Sequence, residues 1–106
     1  MSSRVSSPHV PFWSWRLVVR IPVDKRDEFT RSALFFLSEA TADLSRRHVL
    51  QDVRDGALFC CVADGDEPQG LADFLGSELF RALRGAAETL GKIEETHVLW
   101  ASARGK

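Results

Sequence analysis
This 106-residue chain contains no tyrosine and no asparagine. Without tyrosine, no phenol side chain is there to hold or deprotonate a substrate. Cysteine is nearly absent too, and its two copies, Cys60 and Cys61, are adjacent. Neighbours on a strand point to opposite faces, so these two cannot readily bridge to each other, and a reduced, cytoplasmic setting is expected. An excess of either charge is also missing. The formal net charge is -1, which gives no reason to expect nucleic acid or an anionic membrane as a partner. No apolar run approaches the roughly 20 residues of a membrane span. The opening "MSSRVSSPHVPFW" has an arginine but no apolar segment behind it, so it does not read as a signal peptide. The three histidines, His9, His48 and His97, show no HxH or HxxxH spacing, and no metal site is expected.

What remains is the composition of one ordinary globular domain, 44% hydrophobic and 27% charged. Residues 1–12 read as a loose tail, 13–102 as a single domain, and 103–106 as a short basic tail. In "WSWRLVVRI", Trp13, Trp15, Leu17, Val19 and Ile21 alternate with polar positions, which predicts a strand near 13–22. Asp24 is placed as the N-cap of a helix near 24–44, with Phe29, Ala33, Phe36, Leu37, Ala40 and Leu44 along its inner stripe. Two strands near 47–54 and 57–64 flank Asp55-Gly56, the dipeptide of a two-residue type I′ hairpin. A second helix near 68–90 opens on Asp66, Pro68 and Gln69, carries Leu71, Leu75, Leu79, Leu83, Ala86 and Leu90 as its stripe, and closes on Gly91. A last strand is expected near 95–102. The order βαββαβ is the ferredoxin-like α+β arrangement, with a four-stranded antiparallel sheet and helices on one face.

That hairpin sets Val53 opposite Leu58, Gln51 opposite Cys60 and Val49 opposite Val62, all on the helix-covered face. Pairing Trp15 with Trp100 sets Leu17 by Val98 and Arg20 by Glu95. The outer face then holds Val18, Leu50, Phe59, Cys61, Ala63 and Leu99, mixed with Arg16, Arg20, His48, Asp52 and His97. Half-apolar is too much for a face left in water. A second copy of the chain, packed sheet to sheet about a two-fold axis, is expected to cover it. The dimer interface would then comprise Val18, Leu50, Phe59, Cys61, Leu99, His48 and His97. An RNA-binding domain shares the element order, but the middle of its first strand should carry stacking aromatics, and here it reads "LVV".

At "FLGSELFRALRGAAETL", where Ser77 is followed three residues later by Phe80, the chain resembles the antibiotic biosynthesis monooxygenase domain family. The resemblance implies a ferredoxin-like fold that dimerises into an α/β barrel. It also implies an activity among those of the family, which includes cofactor-free oxygenation of quinols and polyketide phenols. The chain departs from the pattern in places. Where the family often has a tryptophan twelve residues before the serine, this chain has Gly65. Where a histidine commonly precedes the serine by three, it has Phe74. Haem-degrading relatives use a histidine at the position of Arg84 and an asparagine on the first strand, so haem is not an expected ligand. No cofactor is expected.

The helix–sheet interior is the natural pocket of this fold. Its expected lining is Trp15, Gln51, Cys60 and Trp100 from the sheet, with Phe36, Phe74 and Leu83 from the helices. Arg84 is a further candidate that the resemblance points to. Such a wall suits a flat aromatic or quinone-like molecule. No catalytic residue is identifiable from the sequence. Two readings stay open: a cofactor-independent monooxygenase of a small aromatic substrate, and a non-catalytic dimeric barrel that binds a small hydrophobic molecule.

Overall fold
A computed structural model of the chain describes residues 13–40 and 44–100. Both expected tails and residues 101–102 lie outside these. Strand β1 is Trp13–Arg20, and helix α1 is Arg26–Glu39 after a 3-10 turn at Val23–Lys25. Strands β2, Arg46–Gln51, and β3, Leu58–Gly65, come next. Helices α2, Pro68–Leu75, and α3, Glu78–Leu90, lead to strand β4, Lys92–Trp100. The sheet order is β2-β3-β1-β4 with every pair antiparallel. This is the expected ferredoxin-like α+β fold.

The alternation in β1 drives Trp13, Trp15, Leu17 and Val19 into the core, where none is more than 1% exposed. Phe29, Ala33 and Leu37 of α1 and Leu83, Ala87 and Leu90 of α3 pack against them. Full burial of such a side chain contributes on the order of 1.5–3 kcal/mol. The second helix is not continuous. It breaks at Gly76–Ser77, and the Ser77 hydroxyl, in place of a continued backbone ladder, starts α3. Asp24 caps nothing, and α2 follows Glu67 without a side-chain cap. Gln69 donates to Asp73 Oδ1 at 2.9 Å instead of closing a capping box.

The largest departure is in the hairpin. Gln51 pairs with Phe59, Leu50 with Cys60 and Val49 with Cys61, one residue away from the expected register. A slip of one residue turns a strand over. Phe59, Cys61 and Ala63 therefore face the helices, buried to 4% exposure or less, and they are not part of the outer face. Cys60 and Val62 take the outer side. The cause lies in the loop. No glycine or other residue among those described has positive φ, which a type I′ turn requires at both central positions. Instead the Asp52 carboxylate accepts from the N–H groups of Arg54 (2.7 Å) and Asp55 (3.0 Å), and Asp55 Oδ1 accepts from Ala57 N–H (3.1 Å). The result is a wider turn spanning 52–57, with Val53 at its tip, 98% exposed. These backbone donors hold both carboxyls below the usual carboxylate range. A depressed folded pKa means stability that is present above the unfolded value of about 3.9 and lost as pH falls through the folded one. Protection of the 52–57 amides, taken relative to their intrinsic exchange rate at each pH, should accordingly fall below about pH 4, ahead of that of β1 and β3.

On the other side of β1, Trp13 pairs with Trp100 and Trp15 with Val98, two residues from the expected register, so the same face is kept. A bulge between Val18 and Val19 then sets Ile93 opposite Val19. Arg20 consequently meets Glu94, at 3.2 Å, and Asp55, at 3.1 Å, where Glu95 was expected. Arg47 falls on the helix side of edge strand β2. It donates to the Leu37 and Ser38 carbonyls, both at 3.2 Å, and so satisfies acceptors at the end of α1.

Candidate functional site
Two alternating tryptophans on β1 and a broken helix above them create an aromatic cluster. Trp15 meets Phe74 of α2 and Phe80 of α3 edge-on, with ring centroids 5.3 and 5.4 Å apart. Trp13 stacks on Phe74 at 6.2 Å. Ser77 sets the angle between the two helices. Its hydroxyl donates to the Phe74 carbonyl at 2.8 Å and accepts the Phe80 N–H at 3.1 Å. The serine–phenylalanine pair that carries the family resemblance is thus an N-cap and the residue it caps. Phe80 belongs to the cluster by its ring as well, and Trp13 by its stacking. Sequence reasoning named neither as a site residue, although the i,i+3 spacing of a capping serine was a readable signal.

The polar atoms of the cluster are unequal. Trp13 Nε1–H donates to the Glu67 carbonyl at 2.8 Å. Trp15 Nε1–H is buried and has no acceptor among the described residues. Leaving a buried donor unpaired costs about 1–3 kcal/mol. Beside this indole, two apolar side chains on the helix-facing side of β4 are partly exposed. Val98, opposite Trp15, is 38% exposed, and Trp100, opposite Trp13, is 51% exposed. The arrangement is an apolar ledge on an edge strand, next to a ring cluster that holds one unsatisfied donor. Such a ledge can take a flat ring against it, with the buried donor behind the ring cluster.

The other expected lining residues lie at varying distances from this ledge. Phe74 and Leu83 are core residues, each 1% exposed, and Phe36 is half-buried against the core beside Phe35. Gln51 is exposed, and its amide donates to the Gly56 carbonyl at 2.8 Å, so it serves the hairpin and not an interior pocket. Cys60 is on the outer face, turned there by the register. Arg84 is in solvent, 3.7 Å from Glu88. On the outer face His97 Nε2 lies 2.8 Å from Glu95 Oε1, while His48 stands opposite Val62. Burial pushes the Cys61 thiol up to about 12 and raises that of Cys60 as well, against the pull of Arg16, so neither is poised as a nucleophile. Among the described residues no three His, Cys, Asp or Glu side chains converge on a point where a metal could sit.

Hollows of another kind lie elsewhere among the described residues. One, of about 270 Å³, lies at the hairpin end of the outer face, between Val18, Leu50, Leu58 and Cys60. A second, of about 550 Å³, lies where β1 leaves the sheet and α3 hands over to β4.

No family model matches the sequence, and no curated protein is similar to it. Solved structures are similar in fold. A conserved Bacteroides thetaiotaomicron protein of unknown function, described as a possible oxidoreductase, superposes with TM-score 0.72 at 11% identity, over 85% of this chain and 97% of its own. Proposed antibiotic biosynthesis monooxygenases from Chloroflexus aurantiacus and Nitrosomonas europaea give TM-scores of 0.69 and 0.71 at 14% and 11% identity. They cover 90% and 91% of this chain, and 97% and 96% of their own. At such identities the likeness is one of fold. The chain has the ferredoxin-like fold of the antibiotic biosynthesis monooxygenase structures.

Proposed function
We propose that the protein is a cofactor-independent monooxygenase of an oxygen-bearing aromatic, a quinol, anthrone or similar polyketide phenol. The reading rests on one observation above the others, the Trp15 Nε1–H, buried in a ring cluster beside a partly exposed apolar ledge and without an acceptor among the described residues. An anthrone that slips from Val98 and Trp100 beneath the rings packed on Trp15 would bring its carbonyl oxygen to that donor. As the ring methylene loses a proton to solvent water, charge builds on the oxygen, and a preorganised N–H stabilises it most there. The enolate then supplies electrons to dioxygen. One oxygen atom ends as the new carbonyl, the other leaves as water, and the substrate is the only reductant. The names borne by the fold neighbours agree with this class of reaction.

The outer sheet face supports a homodimer. With β3 turned over, its apolar members are Val18, Leu50, Leu58, Cys60, Val62 and Leu99, and the first four line the 270 Å³ hollow. A second copy packed sheet to sheet would cover them.

An oxygen electrode tests the activity. The protein should accelerate anthrone oxidation with one dioxygen consumed per anthrone. Trp15→Phe, which keeps a ring and removes the donor, should lower kcat/KM about 100-fold. Uptake at the uncatalysed rate, or an undiminished Trp15→Phe, would contradict the proposal. Saturable binding without uptake would favour the non-catalytic barrel instead.

A further inference from the structure
We infer a second small-molecule site, for an aromatic monocarboxylate, in the 550 Å³ cavity at the end of the sheet away from Trp13 and Trp100. It is an open depression, wide to solvent, whose volume falls in the ordinary range for small-molecule pockets. The chain crosses itself there at close quarters. Ile21 N–H donates to the Ala57 carbonyl at 2.8 Å, and a Cβ on Gly91 would collide with the Arg20 carbonyl. The walls are therefore held by backbone. Ile21, Pro22, Ala57 and Leu90 supply an apolar lining, and Arg20, Arg26 and Lys92 supply three cations.

The cations are not equivalent. Arg20 is answered twice, by Asp55 and by Glu94. Arg26 spends its Nε–H on the Ile21 carbonyl at 3.1 Å, which fixes the guanidinium on the cavity wall. Among the described residues no carboxylate pairs with Arg26 or with Lys92. Arginine held by one nitrogen, with its terminal amino groups unclaimed, is the group that grips a carboxylate in the plane of its fork. The charge held in the wall sets the valence of the ligand. Three cations stand against two carboxylates, and the C-terminal carbonyls of α3 at Leu90 add partial negative charge. One negative charge is balanced there, whereas a phosphate dianion would be left with charge that its surroundings do not answer. The apolar lining calls for a ring system behind the carboxylate.

This site stands independently of the activity proposed at Trp15, and 2-naphthoate is a probe that separates them. Titrated into the full chain and followed by amide NMR, it should give saturable shifts at Ile21, Ala57, Leu90, Gly91 and Lys92. Lys92→Gln, an exposed change that leaves the fold alone, should weaken binding about tenfold, and Arg26→Gln by at least as much. Arg26→Lys should recover part of the loss, and Trp15→Phe should change nothing. The neutral isostere 2-naphthamide should bind about tenfold more weakly than the acid. Shifts confined to Trp15 and Trp100, affinity indifferent to Lys92→Gln and Arg26→Gln, equal binding of acid and amide, or no saturation would each overturn the inference.

Discussion
Phe59→Asp is expected to leave no folded domain at room temperature, whereas Leu50→Asp should cost no more than about 1 kcal/mol. Phe59 is 4% exposed, with its ring 5.5 Å from Phe29 in the core. Removing the ring alone costs about 3–5 kcal/mol. Placing a carboxylate in the space adds a desolvation penalty that the whole stability of a small domain, about 5–15 kcal/mol, cannot absorb. Leu50 is 50% exposed on the outer face. Circular dichroism and urea titration would show the contrast. If a second copy covers the outer face, Leu50→Asp should also shift sedimentation from dimer to monomer with the fold intact. A folded, monomeric Phe59→Asp protein would mean that β3 presents its other face.

The second large effect is expected at Gly65. A Cβ built there collides with the Trp13 indole, which lies directly across the strand pair. Gly65→Trp should therefore destabilise by about 3 kcal/mol, the upper end of ordinary overpacking. Adding Trp13→Ala should return part of that loss, because the two positions draw on one volume. Thermal melts of the two single variants and the double variant measure this coupling. The resemblance noted from the sequence has a tryptophan at the position of Gly65. In this chain the indole arrives from the facing strand, so the departure is an exchange of volume across β1 and β3. If Trp13→Ala brings no recovery, that exchange is wrong.

The fold was legible because β1 alternates without ambiguity and the helices carry continuous stripes. The facing of β3 was not. "LFCCVA" is apolar at every position, so its period cannot say which side is inward, and the decision passes to the loop. Asp-Gly read as a two-residue turn. What the dipeptide could not show is that Asp52 and Asp55 both bind backbone N–H groups and open the loop wider. The misplaced site residues of β3 follow from that one step: Phe59 and Cys61 assigned to the interface and Cys60 assigned to the pocket. Gln51 kept its expected face, but β2 is an edge strand, and its amide finds the Gly56 carbonyl first. Trp15 and Phe74 were legible as partners because large rings at core positions of a small domain have few other places to go.

The indole N–H resonance of Trp15 offers the most direct test of the proposed site. The chain has three tryptophans, so single phenylalanine variants assign the three signals. Trp13 Nε1–H is already bonded to the Glu67 carbonyl, while Trp15 Nε1–H has no acceptor among the described residues. Adding 1,4-naphthoquinone, which binds without turnover, should move the Trp15 signal downfield as its proton gains an acceptor. It should also perturb Val98 and Trp100 and leave the Trp13 indole in place. A Trp15 indole signal that stays fixed while the quinone binds elsewhere, or while no binding occurs, would contradict the account.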